Sequence, residues 1–183
     1  MVKKKAALPK PGASRAKKST PAKFTPMALP RIGAEWPGEG GRFVGIIRGE
    51  KGQPDYRLLV ATDKRAALKG PWGPAAAVKG TGSEYDGLAN TQAMAAAGSE
   101  IAKRALTMTI AGHKDFYIPS RREARLIWTN APKLLPPEWL WTSTQSAAYS
   151  ACAWAQTFGD GNQGVCHESD EFAVRLVRRI PIR

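Results

Sequence analysis

The sequence predicts an α+β domain preceded by an extended basic arm, and three observations support this class. Glycine and proline are frequent, with 18 and 14 copies among 183 residues, which indicates many turns rather than a helix bundle. Several short stretches alternate as strands do, and two longer ones have helical periodicity. The first 34 residues contain five prolines and few apolar side chains. We therefore assign residues 1–37 to the arm and residues 38–183 to the domain.

Positive charge is concentrated in the arm. The net charge is +13, and nine of the 28 basic residues precede Glu35, the first acidic residue. The other 19 basic residues face 15 acidic ones, so the domain is only mildly basic. Such an arm buries too little apolar surface to offset its backbone entropy, and alone it should be extended or disordered. Its basic residues are Lys3, Lys4, Lys5, Lys10, Arg15, Lys17, Lys18, Lys23 and Arg31.

Three functions suit an arm of this kind. As an assembly arm it would cross the acidic surfaces of neighbouring subunits, and its prolines would lower the entropy cost of ordering it. As a nucleic-acid tail its lysines would neutralise phosphates, although Phe24 is the only aromatic residue among the first 34 that would stack on a base. As a solubilising tail it would bind nothing specific. We favour the assembly arm. We expect no membrane span and no secretory signal, because no apolar run has the length of either.

The domain begins with a predicted hairpin. Strands are expected over residues 42–47 and 56–62, joined by a glycine-rich turn. Residues 63–86 are rich in glycine, proline and lysine, which predicts a surface loop. Within this loop, Trp72 lies in a Gly-Pro-Trp-Gly-Pro sequence, and an exposed tryptophan there would be a contact residue for a partner.

Two helices are predicted in the middle of the chain. The first covers about residues 91–106, with Gly98 weakening its centre by about 1 kcal/mol relative to alanine. The second should run over residues 121–130. It is introduced by Ser120 and Glu123, a capping box in which each side chain can bond the other residue's backbone N–H.

The C-terminal third is predicted to be β-structure. Residues 139–145 follow a strand period, and residues 151–158 and 164–168 flank a Gly/Asp/Asn turn, which indicates a hairpin. Residues 172–180 alternate between apolar and basic side chains. Three tryptophans at strand positions are expected in the core: Trp139, Trp141 and Trp154.

Histidine and cysteine do not form a recognisable reactive set. His113 lies in a loop that we expect to face solvent, and His167 follows Cys166 on a predicted strand. Adjacent strand residues point to opposite faces, so Cys166 and His167 should not converge on a catalytic or metal site. Cys152 and Cys166 are either two free thiols or a single bridge. We expect no catalytic residue, metal or other cofactor.

Six segments in order resemble a known family. They are GGRFVGI, DGLANTQAM, DFYIPSRREARLIW, LWTSTQ, AWAQTFGDG and FAVRLVRRI, and they span about residues 40–181. They resemble the domain named after the C-terminal region of a bacterial collagen-like adhesin, which is similar to the C-type-lectin-like fold. The family's Asp-Trp-x-Leu-Pro-Ser pattern corresponds to Asp115 through Ser120, with Phe116 in place of tryptophan. Its Trp-Ser-Ser-Thr and Val-Arg-x-Val-Arg patterns correspond to residues 141–144 and 174–178.

The resemblance implies a scaffold for displayed loops on a twisted, mainly antiparallel sheet. Relatives of this kind occur in bacterial surface proteins and in bacteriophage proteins. Because a short arm replaces a collagen stalk, we expect a structural protein of a phage virion. The arm would attach it to tail or baseplate subunits, and the domain would contact a host glycan or protein. Alternatives are a capsid decoration or cement protein, a nucleic-acid-binding protein and a bacterial glycan-binding adhesin. We expect a homo-oligomer within an assembly.

The resemblance also raises two activities that the residues do not support. C-type lectins that bind sugar through calcium use Glu-Pro-Asn and Trp-Asn-Asp sequences, and neither occurs here. The cysteine context of formylglycine-generating enzymes is likewise missing. The late oxygen-bearing side chains are therefore expected to be turn residues: Asp160, Asn162, Glu168, Asp170 and Glu171.

Overall fold

The computed structural model describes residues 29–182, which form ten strands and three α-helices. The strands are β1 Glu35–Trp36, β2 Gly41–Ile47, β3 Tyr56–Ala61, β4 Ala67–Gly70, β5 Phe116–Tyr117, β6 Trp139–Gln145, β7 Cys152–Thr157, β8 Gln163–His167, β9 Phe172–Arg175 and β10 Val177–Pro181. The α-helices are α1 Gly87–Ala96, α2 Glu100–Thr107 and α3 Arg121–Asn130, and short 3-10 helices cover Lys64–Ala66 and Pro132–Leu134.

The strands form two five-stranded sheets. The first has the order β1-β2-β3-β10-β5, and the second has the order β4-β9-β6-β7-β8. All pairs are antiparallel except β6 with β9. The predicted α+β class with mainly antiparallel pairing is confirmed, as are the β2–β3 and β7–β8 hairpins.

The alternation of residues 172–180 suggested a single strand, but the structure has two strands in this range. β9 belongs to the second sheet and β10 to the first, so the chain changes sheets at Leu176. Leu176 and Val177 are both fully buried although they are adjacent. Leu176 packs into the hydrophobic cluster that contains Trp141, and Val177 packs into the cluster that contains Leu140, so the two adjacent side chains point to opposite sides.

The helix predicted over residues 91–106 is interrupted. α1 ends at Ala96, and Gly98 has a φ of 104°, which favours glycine. The Ser99 side chain then accepts from the Ala102 N–H and begins α2. By contrast, the capping box of Ser120 and Glu123 begins α3 as predicted.

The folded part extends further toward the N-terminus than residue 38. Gly33 donates its N–H to the Phe43 carbonyl at 2.7 Å, and β1 pairs with β2. Trp36 is buried against Phe43 and Leu59. The sequence did not predict this strand, because two residues are too few to give a periodic signal.

The prediction that Trp72 is exposed is wrong. Trp72 is fully buried, and its indole Nε1 donates to the Thr142 carbonyl at 2.8 Å. Residues 63–86 also contain β4 and the buried Thr81, so they are not simply a surface loop. The Gly-Pro-Trp-Gly-Pro segment therefore directs the Trp72 side chain into the core and not toward solvent.

Two hydrophobic clusters lie on opposite faces of the second sheet. Leu140 and Trp141 are neighbours on β6 and point to different faces. Trp141 packs with α2, while Leu140 packs with Ile127 of α3. Within residues 29–182, no helix has the length and apolar character needed to cross a membrane.

Candidate functional site

Two arginines at the start of α3 each stack on an aromatic ring at the surface. The guanidinium of Arg121 lies 3.5 Å from the ring centre of Trp154 on β7, and that of Arg122 lies 3.8 Å from the ring centre of Tyr85. Such contacts between a cation and an aromatic face contribute about 0.5–1 kcal/mol when exposed. Together with Glu84, these four residues define what we call the arginine–aromatic surface.

The first turn of α3 fixes the position of this surface. Besides the Ser120 cap, the Arg121 N–H donates to the Thr144 hydroxyl at 3.0 Å, and the Arg122 N–H donates to the Glu84 carbonyl at 3.0 Å. These contacts satisfy N–H groups that a helix leaves without partners at its start. They join α3 to β6 and to the segment before α1, which carries Glu84 and Tyr85.

Glu84 lies between the two arginines. Its carboxylate is 2.7 Å from Arg121 and 3.8 Å from Arg122. Arg121 also donates from Nε to the Gln163 side chain at 3.0 Å, and Gln163 donates back to the Arg121 carbonyl at 2.9 Å. The Arg122 side chain remains about half exposed, at 53%. The side chains are thus ordered before any ligand binds, and part of their surface stays accessible.

The exposed side of the β7–β8 hairpin adjoins the same tryptophan. Trp154 pairs with Val165 across the hairpin, and Val165 and His167 are exposed. In the turn before β7, Tyr149 is 61% exposed. The hairpin therefore presents apolar and aromatic groups beside Arg121.

A polar cleft of about 120 Å³ lies on the other side of Tyr85. Across it, Arg179 and Asp86 form an ion pair at 2.9 Å. The β2–β3 loop supplies Arg48 and Lys51, for which no ion pair is found within the described residues. The cleft is lined by Arg48, Glu50, Lys51, Gln53, Tyr56, Ser83, Tyr85, Asp86 and Arg179.

Behind the cleft, a buried carboxylate supports its wall. Glu123 Oε1 accepts from the hydroxyls of Tyr56 at 2.8 Å and Tyr117 at 2.6 Å, and Oε2 accepts from the Ser120 N–H at 2.7 Å. Burial raises the pKa of Glu123, and the hydrogen bonds from Tyr117, Ser120 and Tyr56 oppose that rise. Burial, together with the nearby Glu123 charge, raises the pKa of both tyrosines well above its ordinary value. Because structural donors occupy this carboxylate, we assign it to the fold and not to catalysis.

The structure locates only part of the predicted site residues. Eight of the nine basic residues of the arm, from Lys3 to Lys23, lie outside the described residues; Arg31 is described and is exposed. Cys152 and Cys166 are free thiols, and β8 places Cys166 and His167 on opposite faces. His113 is half-buried instead of solvent-facing, with Nε2 3.0 Å from the Gly38 carbonyl oxygen.

The late oxygen-bearing residues do not gather into a metal site. Asp160 bonds Asn162 within its own turn, whereas Glu168 is fully buried beside Gln145. Across residues 29–182, no three histidine, cysteine, aspartate or glutamate side chains converge as a metal would require.

Sequence reasoning did not find the arginine–aromatic surface. Trp141 is buried as predicted, but Trp154 is only half-buried and Trp139 is 37% exposed. The capping box did show that Arg121 and Arg122 begin a helix. Their partners Glu84 and Trp154 lie more than 30 residues away in either direction, so no local pattern predicted the contacts.

No protein-family model matches this chain, and no curated protein matches its sequence.

Proposed function

We propose that this protein is a non-enzymatic structural component of a bacteriophage particle. Its basic arm attaches it to neighbouring tail or baseplate subunits, and a C-type-lectin-like domain presents the arginine–aromatic surface to a host molecule or another protein. The observation that carries the proposal is that surface, where Arg121 and Arg122 are held on Trp154 and Tyr85 while remaining partly exposed.

The residue types at this surface favour binding. Arginine, tryptophan and tyrosine are enriched at the energetically dominant positions of protein interfaces. A binding partner would also lose little entropy in ordering them, because stacking and the Glu84 carboxylate already restrict their rotamers. We therefore expect this surface to contribute more affinity than its area alone suggests.

The C-type-lectin-like assignment has support from the positions of the resembling segments. They fall on β2, α1, β5, α3, β6, β7, β9 and β10, which together make three of the five strands of each sheet and two of the helices. Two mainly antiparallel sheets with a few helices are compatible with that fold. An experimental structure compared with known C-type-lectin-like domains would test the assignment directly.

Composition of purified particles tests the proposed location. We expect mass spectrometry to detect the chain in particles of the phage or prophage that encodes it, and immunogold labelling to mark the tail rather than the capsid. Labelling of the capsid would favour the decoration-protein alternative. Absence of the chain from purified particles would contradict the proposal.

Two variants separate the roles of arm and surface. A chain without residues 1–34 should be lost from particles, because the assembly contacts are removed. The Arg122→Ala/Trp154→Ala variant should enter particles normally but reduce adsorption to host cells about tenfold or more, as expected for two interface residues of this type. Arg104→Gln, which changes an exposed arginine on α2, is the matched control.

Nucleic-acid binding is the competing function, because nine cations in 34 residues would also attract phosphates. It predicts DNA binding by the full chain that falls steeply with salt and disappears without residues 1–34. DNA binding of that kind, in a chain absent from particles, would replace the virion proposal.

A further inference from the structure

Two arginines near the end of the chain are partnered very differently. Arg178 on β10 is buried and donates from Nε to Asp115 at 2.7 Å, and it also pairs with Glu39. Arg175 on β9 is half-buried, yet it forms no ion pair with any residue between 29 and 182. The one hydrogen bond that its side chain makes within residues 29–182 is donated by Nη1 to the Asp63 carbonyl oxygen at 3.2 Å.

Among residues 29–182, no carboxylate offsets the charge of Arg175. Arg175 lines a small, mainly apolar cavity together with Leu135, Leu140 and Phe158. Burial lowers the pKa of the guanidinium, although arginine stays charged at any ordinary pH. Removing a charge from water is unfavourable unless an opposite charge or further hydrogen bonds offset the loss.

The guanidinium lines a cleft of about 200 Å³ that contains a second arginine. Arg42 on β2 donates to the Gly33 carbonyl at 3.0 Å and likewise has no ion pair within the described residues. One carboxylate, that of Glu35, lines the same cleft; it is opposite Arg42 in the β1–β2 pair but beyond ion-pair distance. Each guanidinium has five N–H donors, so most of these donors have no acceptor in the described part of the chain.

We propose that this cleft binds an oxyanion, a phosphate or carboxylate group, between Arg175 and Arg42. The planar guanidinium matches two oxygens of either group in a bidentate geometry. The volume is large enough for such a group. The site uses none of the residues of the arginine–aromatic surface, so it stands whether or not that surface binds a host molecule.

Titration with inorganic phosphate tests the site in the full chain. The nitrogen-15 NMR signal of the Arg175 Nε–H group should shift saturably, with a Kd of about 1 mM at near-physiological salt, the affinity expected of a small ligand held by a few charged contacts. A parallel titration with acetate distinguishes the sources of the group. Saturation by phosphate alone indicates a phosphate ligand, saturation by acetate alone a carboxylate ligand, and saturation by both a general oxyanion site.

Variants show whether the two arginines hold the anion. Arg175→Lys keeps the charge but loses bidentate geometry, so the affinity read from the Arg42 signal should fall about tenfold. Arg42→Gln changes an exposed side chain and should weaken binding similarly, which keeps the test decisive if Arg175→Lys unfolds. Arg104→Gln should leave the affinity unchanged. Linear, non-saturating shifts with both anions, or equal affinities in Arg42→Gln and Arg104→Gln, would overturn the proposal.

Discussion

Glu123 and Glu168 are both fully buried carboxylates, but their surroundings differ. Glu123 accepts from two tyrosine hydroxyls and, in its capping box, from a backbone N–H, so both of its oxygens are occupied. Glu168 follows β8 and accepts one side-chain hydrogen bond, from Gln145 Nε2 at 2.7 Å. Its other oxygen, Oε2, is buried without a partner among the described residues. Both oxygens of Glu123 are therefore hydrogen-bonded, whereas Glu168 has one buried oxygen without a partner among the described residues.

Gln145 explains why Glu168 is poorly satisfied. Its Nε2 group has two hydrogens but lies near three acceptors: Glu168 Oε1, the Ala76 carbonyl at 2.8 Å and the Ser150 carbonyl at 3.0 Å. Its Oε1 is held by the Val78 N–H at 2.9 Å, which prevents the amide from reversing. The Gln145 side chain thus links the segments that contain Ala76, Ser150 and Glu168. The Glu168 carboxylate shares the Nε2 group of Gln145 with two backbone carbonyls.

The comparison predicts that the two carboxylates differ in what they contribute to stability. Burial raises the pKa of both. For Glu123 the rise is opposed by hydrogen bonds with Tyr117, with the Ser120 backbone and side chain, and with Tyr56. For Glu168 it is opposed first by Gln145, then by a backbone hydrogen bond of Ala76 and by His167. Loss of Glu123 should therefore be strongly destabilising, and neutralisation of Glu168 should cost little.

The largest effect is expected for Glu123→Ala. The substitution leaves the Tyr117 hydroxyl and the Ser120 N–H buried without an acceptor, and Tyr56 keeps only its longer bond to the Tyr85 carbonyl at 3.3 Å. It also opens a cavity, so the free energy of unfolding should fall by about 3–5 kcal/mol. Urea denaturation at neutral pH measures this change. Glu100→Ala removes a carboxylate that is 79% exposed and should change stability by less than about 0.5 kcal/mol. Equal losses in the two variants would contradict the role assigned to Glu123.

Gly87→Ala tests how closely the chain surrounds Glu123. A methyl group at this first residue of α1 would collide with Glu123 Oε2 and lie 2.7 Å from the Ser120 nitrogen and 2.8 Å from the Ile118 carbonyl oxygen. We expect a loss of about 3 kcal/mol in the same urea experiment, from overpacking. Combined with Glu123→Ala, the loss should be less than additive, because the contact with Oε2 is removed while the two backbone contacts remain. An additive double variant would show that the backbone contacts alone account for the loss.

Gln145→Ala should have an intermediate effect. It removes the acceptor of the Val78 N–H and the donor shared by Glu168 and two carbonyls, at an expected cost of about 2–3 kcal/mol. Hydrogen exchange at the Val78 amide, measured by NMR, should accelerate more than exchange in the first sheet. Gln53→Ala, at an exposed loop position, is the control. Unchanged protection of Val78 would contradict the linking role of Gln145.

How far the sequence predicted these networks depends on the distance along the chain. The capping box of Ser120 and Glu123 was predicted because both residues lie within one turn of helix. Nothing local indicated that Tyr56, 67 residues away, would donate to the same carboxylate. Both hairpins were likewise predicted from the turn residues between their strands, which are a local signal.

Tertiary packing decided the features that sequence reasoning missed. Trp72 has the Gly-Pro neighbours of an exposed loop, yet the core offers the Thr142 carbonyl to its indole. The change of sheet at Leu176 depends on which strands are available as partners. Arg121 and Arg122 were assigned to a helix, but the aromatic rings that make them a surface come from two other parts of the fold.

The smallest effect, and the sharpest test of the comparison, is expected for Glu168→Gln. The pKa of Glu168 is raised in the folded state, so the unfolded state loses its proton first as pH increases. The stability that the protonated carboxyl contributes is complete below the unfolded pKa of about 4.3 and is lost as pH rises through the folded pKa. Glutamine cannot ionise, so the variant should escape this loss. Urea denaturation between about pH 4 and pH 8 should show the stability of the variant rising relative to the unsubstituted chain.

Glu171→Gln is the matched control, because it removes an exposed carboxylate three residues away. Its stability should run parallel to that of the unsubstituted chain across the same pH range. If Glu168→Gln also runs parallel, Glu168 ionises as easily when folded as when unfolded, and it must then have a donor for Oε2. In that case both oxygens of Glu168 would be hydrogen-bonded, as those of Glu123 are, and the contrast in hydrogen bonding between the two sites would disappear.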